Sequence, residues 1–214
     1  HLTHGFMTSK KRVSATSKYF ESMPYRVKSD GYLDYEELSL LASRFRPKII
    51  ICGFSAYPRD IDYSKFRKIA DDVGALLMCD MAHTSGLVAA GVVSNPFEYA
   101  DIVTTTTHKT MRGPRSGMIF SRKEYNKKIN DALFPGLQGG PHNHQIAGVA
   151  TALLELQTPS YREYAELVVK NSKELAQHMM DNGFKLSTNG TDNHIILVDL
   201  NNFGITGSKM ELIC

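Results

Sequence analysis

The fold is decided by the stretch Val103-Thr104-Thr105-Thr106-Thr107-His108-Lys109-Thr110. Its β-branched residues are typical of a buried strand, and we expect that strand to end at the His-Lys pair. The residues that follow, Met111-Arg112-Gly113-Pro114-Arg115-Ser116-Gly117, contain two glycines and a proline, which predict a sharp turn. A lysine carried by a strand into such a turn lies where open α/β sheets bind their ligands.

Lys109 is the candidate nucleophile of this turn. Its neighbours in sequence include Arg112, Arg115 and His108, and we expect their charges to crowd its amine. Nearby positive charge favours the neutral form of an amine, which can attack a carbonyl and form a Schiff base. The alternative is an ordinary solvated lysine in a polar loop.

The order of the remaining elements indicates an α/β protein. Short apolar runs alternate with amphipathic stretches, a pattern typical of parallel βαβ units whose sheet is covered by helices. We predict strands over 48–53, 75–79, 101–104 and 117–120, and helices from Asp34 to Arg46, from Asp60 or Asp62 to Gly74, over 146–156 and over 160–181. The expected sheet is therefore mostly parallel and sandwiched by helices.

Residues 184–187 and 194–200 are predicted to be strands of a second, smaller α+β unit. We therefore expect two parts: residues 1–158 as a ligand-binding large domain, and residues 159–214 as a connecting helix with the beginning of a small domain. The chain starts at a histidine and stops soon after the second unit begins. We expect it to lack the N-terminal part of the large domain and the rest of the small one.

Composition and charge argue against several classes of protein. The 42% hydrophobic and 22% charged residues are ordinary for a globular protein, and no run reaches the roughly 20 apolar residues that span a bilayer. A net charge of +3 does not by itself indicate nucleic-acid binding. The three cysteines have neither disulfide nor zinc spacing, so we predict no metal site and a reducing compartment.

Polar residues follow two more of the predicted strands. Asp80 ends one strand and Ser55 follows another, so both are expected at the same sheet edge as Lys109. A carboxylate buried there needs a hydrogen-bond donor or a positively charged partner. The alternatives are a helix N-cap for Asp80 and a simple turn former for Ser55. His83 makes an Asp-x-x-His pair with Asp80, but two further ligands for a metal are missing.

Gly139 and Gly140 form the second candidate binding element. Two adjacent glycines present backbone N–H groups with no side chain in the way, which suits a bound anion. The alternative is a flexible loop.

Six blocks of this sequence resemble the serine hydroxymethyltransferase family, whose members are fold-type-I pyridoxal-phosphate enzymes. Their order and approximate spacing match the family across nearly the whole chain. The blocks are His1-Leu2-Thr3-His4-Gly5, Gly53-Phe54-Ser55-Ala56-Tyr57, Asp80-Met81-Ala82-His83, Gly86-Leu87-Val88-Ala89-Ala90-Gly91, the segment 104–115, and Phe134-Pro135-Gly136-Leu137-Gln138-Gly139-Gly140-Pro141-His142-Asn143-His144. The resemblance implies the large domain of a fold-type-I enzyme.

The resemblance also implies roles for individual residues. Lys109 would be the Schiff-base lysine, and His108 would lie close to the imine. The other implied cofactor contacts are Asp80 to the ring nitrogen, His83 near the ring hydroxyl, Ser55 to the phenolic oxygen, Arg115 in the cofactor site, and Gly139 and Gly140 to a phosphate held mainly by a neighbouring subunit. His1 would stack on the pyridine ring, and His1 and Leu2 would contribute to the folate pocket.

The function implied by the resemblance is interconversion of serine and glycine on pyridoxal phosphate, with transfer of the one-carbon unit to tetrahydrofolate. It implies a homodimer or homotetramer with shared active sites, in the cytoplasm or alternatively in mitochondria. The family's catalytic glutamate would precede His1 and its carboxylate-binding arginine would follow Cys214, so the chain alone is expected to be an incomplete catalyst. The alternatives are another fold-type-I enzyme, such as a threonine aldolase or a glycine acyltransferase, and a non-catalytic dimerisation or binding fragment.

Overall fold

The computed structural model describes His4 and residues 11–214. A four-stranded sheet lies at its centre, with the strands in the order in which they occur in the chain. The strands are β1 (Ile49–Cys52), β2 (Leu76–Asp80), β3 (Ile102–Thr106) and β4 (Gly117–Ser121). The first three are parallel, whereas β4 is antiparallel to β3, so the sheet is mixed.

Helices pack around this sheet and extend beyond it. The α-helices are α1 (Ala15–Tyr19), α2 (Tyr35–Phe45), α3 (Tyr63–Val73), α4 (Ser85–Ala89), α5 (Asn126–Asp131), α6 (Asn143–Glu155), α7 (Pro159–Asp181) and α8 (Gly207–Ile213). Short 3₁₀ turns occur at Pro96–Glu98, Lys123–Tyr125, Ser187–Asn189 and Leu200–Phe203, and an irregular wide turn occupies Ala132–Leu137. No helix in the described residues is long and apolar enough to cross a membrane.

Local capping chemistry sets the bounds of α2 and α3. The Asp34 carboxylate accepts the N–H of Glu37, and the Asp62 carboxylate accepts the N–H of Lys65. Gly74 ends α3 in the left-handed conformation, which glycine adopts without steric cost. These contacts confirm the predicted helix starts and place the start of α3 at Asp62.

The main apolar core lies between the sheet and helices α2 and α3. Phe66, Leu77, Cys52 and Cys79 are completely buried in it. A second apolar cluster lies beneath the turn that follows β3, where Leu87, Met111 and Tyr161 pack together. The predicted strands through residue 120 are confirmed to within a few residues, and the sheet is mostly parallel as predicted, with β4 as its antiparallel strand. A sharp turn over residues 107–116 sends the chain straight back along β3.

The two strands predicted for the second unit do not form in the structure. Residues 184–187 and 194–200 make a single antiparallel bridge, between Leu186 and Val198. Thr188 and Asn189 adopt positive φ values of 61° and 53°, which end extended structure there. A two-stranded ladder is marginal without a third strand or a packed face, so the apolar pattern alone does not produce a sheet.

Polar contacts instead hold this segment against the loop after β1. Arg59 donates to the Thr188 carbonyl at 2.6 Å and to Asp192 at 2.9 Å. Asn193 donates its side-chain amide to the Tyr57 carbonyl at 3.1 Å. The C-terminal segment is therefore joined to the carboxyl end of β1.

Asp101 is a charged hub at the amino end of β3. Its carboxylate accepts hydrogen bonds from the Leu77 N–H and the Arg67 guanidinium, both at 2.8 Å, and from Arg122 at 3.2 Å. Its side chain is 13% exposed. Burial opposes ionisation, but the Leu77 N–H and the Arg67 guanidinium outweigh it and hold the pKa of Asp101 below its ordinary value.

We expect Asp101→Asn to lower the free energy of unfolding by about 2 kcal/mol, because it leaves the Arg67 guanidinium without its anionic partner. The contribution of Asp101 is present above the ordinary aspartate pKa of about 3.9, and it is lost as the pH falls through the lowered folded value. The deficit of the variant should therefore shrink on acidification. Urea unfolding at neutral and acidic pH measures both effects.

The matched control is Asp72→Asn, which removes an exposed ion pair with Lys68. We expect it to cost at most about 0.5 kcal/mol. Equal losses for the two variants at neutral pH would contradict a structural role for the Asp101 hub.

Candidate functional site

The carboxyl ends of the parallel strands meet at one edge of the sheet. Asp80 is the last residue of β2, and Lys109 lies three residues beyond the end of β3. Gly53, directly after β1, has a φ of +94°, and a Cβ atom at this position would collide with the Asp80 carbonyl oxygen. Only glycine therefore allows the chain to pass this close to Asp80.

The Asp80 carboxylate is held by two donors. His4 Nε2 lies 2.6 Å from one oxygen, and the Ala82 N–H donates to the other at 3.0 Å. The side chain is only 14% exposed. Burial acts to raise its pKa, but the hydrogen bonds from His4 and Ala82 and the charge of Lys109 overcome this, so the pKa of Asp80 lies below its ordinary value. Asp80 is therefore an ionised carboxylate in a largely desolvated position.

Lys109 belongs to a tight turn that begins at the end of β3. Its Nζ atom donates to Thr106 Oγ1 at 3.0 Å. The turn is closed by the Arg112 N–H to the Lys109 carbonyl at 2.9 Å and by the Gly113 N–H to the Thr107 carbonyl at 2.7 Å. The charge of Lys109 contributes to lowering the pKa values of Asp80, His83 and His108.

The pKa values of the His83 and His194 imidazoles are lowered, which favours their neutral forms. Burial, followed by the charges of Lys109 and His194, lowers the pKa of His83. Burial also lowers the pKa of His194. Neutral imidazoles can accept or donate a hydrogen bond without adding charge to the site.

The two arginines of the turn have different partners, since Arg115 contacts His108 and Arg112 contacts helix α7. Arg115 donates to His108 Nε2 at 3.3 Å, which fits a neutral imidazole, and burial followed by the charge of Arg115 lowers the pKa of His108. The guanidinium of Arg112 lies over two aromatic rings, 4.5 Å from the Tyr164 centroid and 5.1 Å from that of Tyr161. The crowding of the Lys109 amine by these charges stays a prediction.

The other predicted site residues are either exposed or outside the described part of the chain. Ser55 is exposed in the turn that follows Gly53. Gly139 and Gly140 are also exposed, with open space where a Cβ atom would lie, and no hydrogen bond among the described residues links them to Lys109. His1 and Leu2 lie outside the described residues. The cofactor and folate roles of these residues remain predictions.

Sequence reasoning missed two residues of this site. His4 occurs in a block that resembles the family, but nothing local indicates that it contacts Asp80, which lies 76 residues away. His194 opens an apolar run that the sequence predicts only as a strand. The polar Asn193-His194 pair at the start of this run is the available signal, because polar groups within apolar surroundings need partners.

Comparison with known proteins gives one consistent result. The family model described as serine hydroxymethyltransferase matches residues 1–214. Serine hydroxymethyltransferase 4 of Arabidopsis thaliana is 55% identical over all of this chain and 49% of its own length. The chloroplastic serine hydroxymethyltransferase 3 of the same plant is 58% identical, and the cytosolic protein of Oryctolagus cuniculus 54%, over all of this chain and 42% and 47% of their own lengths. The chain thus spans about half the length of the curated relatives that it matches.

We expect His4→Ala to raise the pKa of Asp80, because burial would then be opposed by one hydrogen bond fewer. Carboxyl-carbon NMR titration of aspartate side chains measures this directly. His144→Ala, which removes an exposed imidazole, is the control and should leave Asp80 unchanged. If Asp80 titrates alike in all three proteins, His4 does not hold it in the ionised form.

Proposed function

Since this chain belongs to the serine hydroxymethyltransferase family, we propose that the whole protein interconverts serine and glycine with pyridoxal phosphate and passes the one-carbon unit to tetrahydrofolate. The observation that carries the proposal is that Asp80, at the end of β2, and Lys109, three residues beyond β3, lie at the same edge of the sheet. The family match favours this activity over that of a threonine aldolase or a glycine acyltransferase.

The residues present fit pyridoxal phosphate chemically. The cofactor needs an amine for its aldehyde carbon and a carboxylate for its ring nitrogen. Lys109 supplies the first, and Asp80 supplies the second in its ionised form. A carboxylate has about four acceptor positions, so Asp80 can accept a further donor beside His4 and the Ala82 N–H.

When bound, pyridoxal phosphate supplies an electron sink for the electron pair released when a bond to the substrate's α-carbon breaks. Asp80 would keep a proton on the ring nitrogen, and His4 would keep Asp80 oriented and ionised. Lys109, whose Nζ donates to Thr106 Oγ1, would hold the cofactor through its amine. Burial lowers the pKa values of His83 and His108, so these imidazoles would be neutral and would add no positive charge to that of Lys109.

Further contacts follow from the family resemblance. We assign Ser55 to the phenolic oxygen of the cofactor, Arg115 to the cofactor site, and the Gly139 and Gly140 N–H groups to the phosphate. The exposure of both glycines supports a phosphate site completed by another subunit. His1 would stack on the ring, and Leu2 would line the folate pocket.

We propose a homodimer, or a homotetramer built from it, with active sites shared between subunits. Large apolar side chains are exposed around the Gly139–Gly140 loop and on α6. They are Leu133, Phe134, Leu137, Ile146 and Leu154. Several large apolar side chains exposed within one stretch of the chain are typical of a subunit interface, and a second copy would cover them.

The compartment that we propose is the cytoplasm, with mitochondria as the alternative. Cys52, Cys79 and Cys214 are all free thiols, which is consistent with a reducing compartment. Relatives named as cytosolic and as chloroplastic both match the chain.

Borohydride reduction in the presence of pyridoxal phosphate, followed by peptide mass mapping, tests the proposed function. We expect a phosphopyridoxyl adduct on Lys109 in the whole protein, because its amine would hold the cofactor. Lys109→Arg should lose the adduct, whereas Lys127→Arg, at an exposed lysine of α5, should keep it. Labelling confined to surface lysines would refute the proposal and favour a non-catalytic binding fragment.

The proposed interface makes a separate prediction. We expect Leu137→Asp to reduce the mass of the whole protein in analytical ultracentrifugation, because Leu137 is 85% exposed here and a charge would be buried against the second subunit. Leu40→Asp, on the exposed face of α2, should leave the mass unchanged. An unaltered mass for Leu137→Asp would place the subunit contact elsewhere.

A further inference from the structure

Three elements meet at the turn that carries Lys109. The Tyr161 hydroxyl, from the first turn of α7, donates to the carbonyl of Thr110 at 2.6 Å. Thr110 is the residue directly after the lysine. Tyr161 is 2% exposed and packs in one apolar cluster with Met111, also from this turn. The turn is therefore held by a buried polar contact as well as by apolar packing.

The start of α4 completes this junction. The Gly86 N–H donates to Thr110 Oγ1 at 3.0 Å, and the Thr110 hydroxyl donates to the His83 carbonyl at 3.0 Å. A Cβ atom at Gly86 would collide with both the Tyr161 hydroxyl and the Thr110 carbonyl. The hydroxyl thus fits into a space that exists only because residue 86 is glycine.

Arg112 supplies a second contact between the turn and α7. Its φ of 56° lies in the left-handed region, which non-glycine residues adopt uncommonly. Its guanidinium lies over the rings of Tyr161 and Tyr164, which are three residues apart on one face of α7. Cation–π contact between these groups favours this backbone conformation.

We propose that Tyr161 is a positioning residue for Lys109, through which α7 sets the place of the lysine amine at the sheet edge. Its hydroxyl fixes the peptide that follows Lys109, and its ring supports Arg112 at the end of the same turn. The catalytic consequence rests on the proposed function, since it requires that Lys109 hold the cofactor. The contact itself can be tested without the cofactor.

Tyr161→Phe is the informative variant, because it removes the hydroxyl and keeps the ring. Tyr164→Phe is the matched control, since the Tyr164 hydroxyl makes no hydrogen bond to any residue that the structure describes. In the cofactor-free whole protein, we expect amide hydrogen exchange of residues 108–113 to accelerate about tenfold in Tyr161→Phe, as expected for loss of one buried hydrogen bond. Tyr164→Phe should exchange like the wild type.

The second measurement is the pH dependence of the cofactor's absorption spectrum in the loaded protein. A displaced lysine amine shifts the midpoint of this titration, whereas a merely structural loss of stability does not. We expect a shifted midpoint in Tyr161→Phe and an unshifted one in Tyr164→Phe. Faster exchange with an unshifted midpoint would overturn the positioning role.

The outcomes separate this inference from the proposed function. If the wild type forms no Lys109 adduct, the proposed function fails, while hydrogen exchange still reports on the contact of Tyr161 with the turn. If exchange is the same in Tyr161→Phe and in the wild type, the inference fails whether or not the adduct forms.

A further variant covers the case in which Tyr161→Phe does not fold. Arg112→Gly removes the stacked guanidinium and tolerates the left-handed backbone. We expect it to accelerate exchange of residues 108–113, by less than the tyrosine change. Wild-type exchange in this variant would likewise overturn the proposal.

Discussion

The parallel register of β2 and β3 is the constraint on which the site depends. It pairs Asp80 with Thr104, so the carboxylate at the end of one strand lies beside the strand that leads to Lys109. Both groups are brought to this edge by the backbone pairing of the strands that carry them. The left-handed Gly53 then lets the chain after β1 pass against Asp80, so all three parallel strands contribute to the same small region.

Asp101, at the amino end of β3, and Asp80, at the carboxyl end of β2, differ in the partners of their carboxylates. The Asp101 carboxylate accepts hydrogen bonds from two arginines and a backbone N–H, and the arginines compensate its negative charge. Asp80 is ionised with only His4 and the Ala82 N–H as strong partners. The charge of Asp101 is compensated within the fold, whereas Asp80 has more acceptor positions left for a cationic group of a ligand. The difference is one of remaining hydrogen-bonding capacity, because both carboxylates are similarly exposed.

Much of the fold could be predicted because its signals are local. Asp62 and Gly74 mark the ends of α3 through hydrogen bonds and backbone preferences that act within a few residues. The apolar runs of β1 to β3 indicate buried strands for the same reason. The strands expected over 184–187 and 194–200 were wrong, because a strand also needs a partner surface and this segment is held instead by Arg59 and its neighbours. The antiparallel direction of β4 follows from the sharp turn after Lys109, which sends the chain back along β3.

By itself, the sequence determined the family, the α/β class, the lysine of the turn and the carboxylate at the neighbouring strand end. Those features depend on motifs of a few consecutive residues and on patterns of apolar spacing. Only the tertiary structure decided that His4 contacts Asp80, that Tyr161 donates to the Thr110 carbonyl, and that Arg112 stacks on α7. These contacts join residues tens of positions apart, and their energies depend on burial and orientation, which no local pattern of residues specifies.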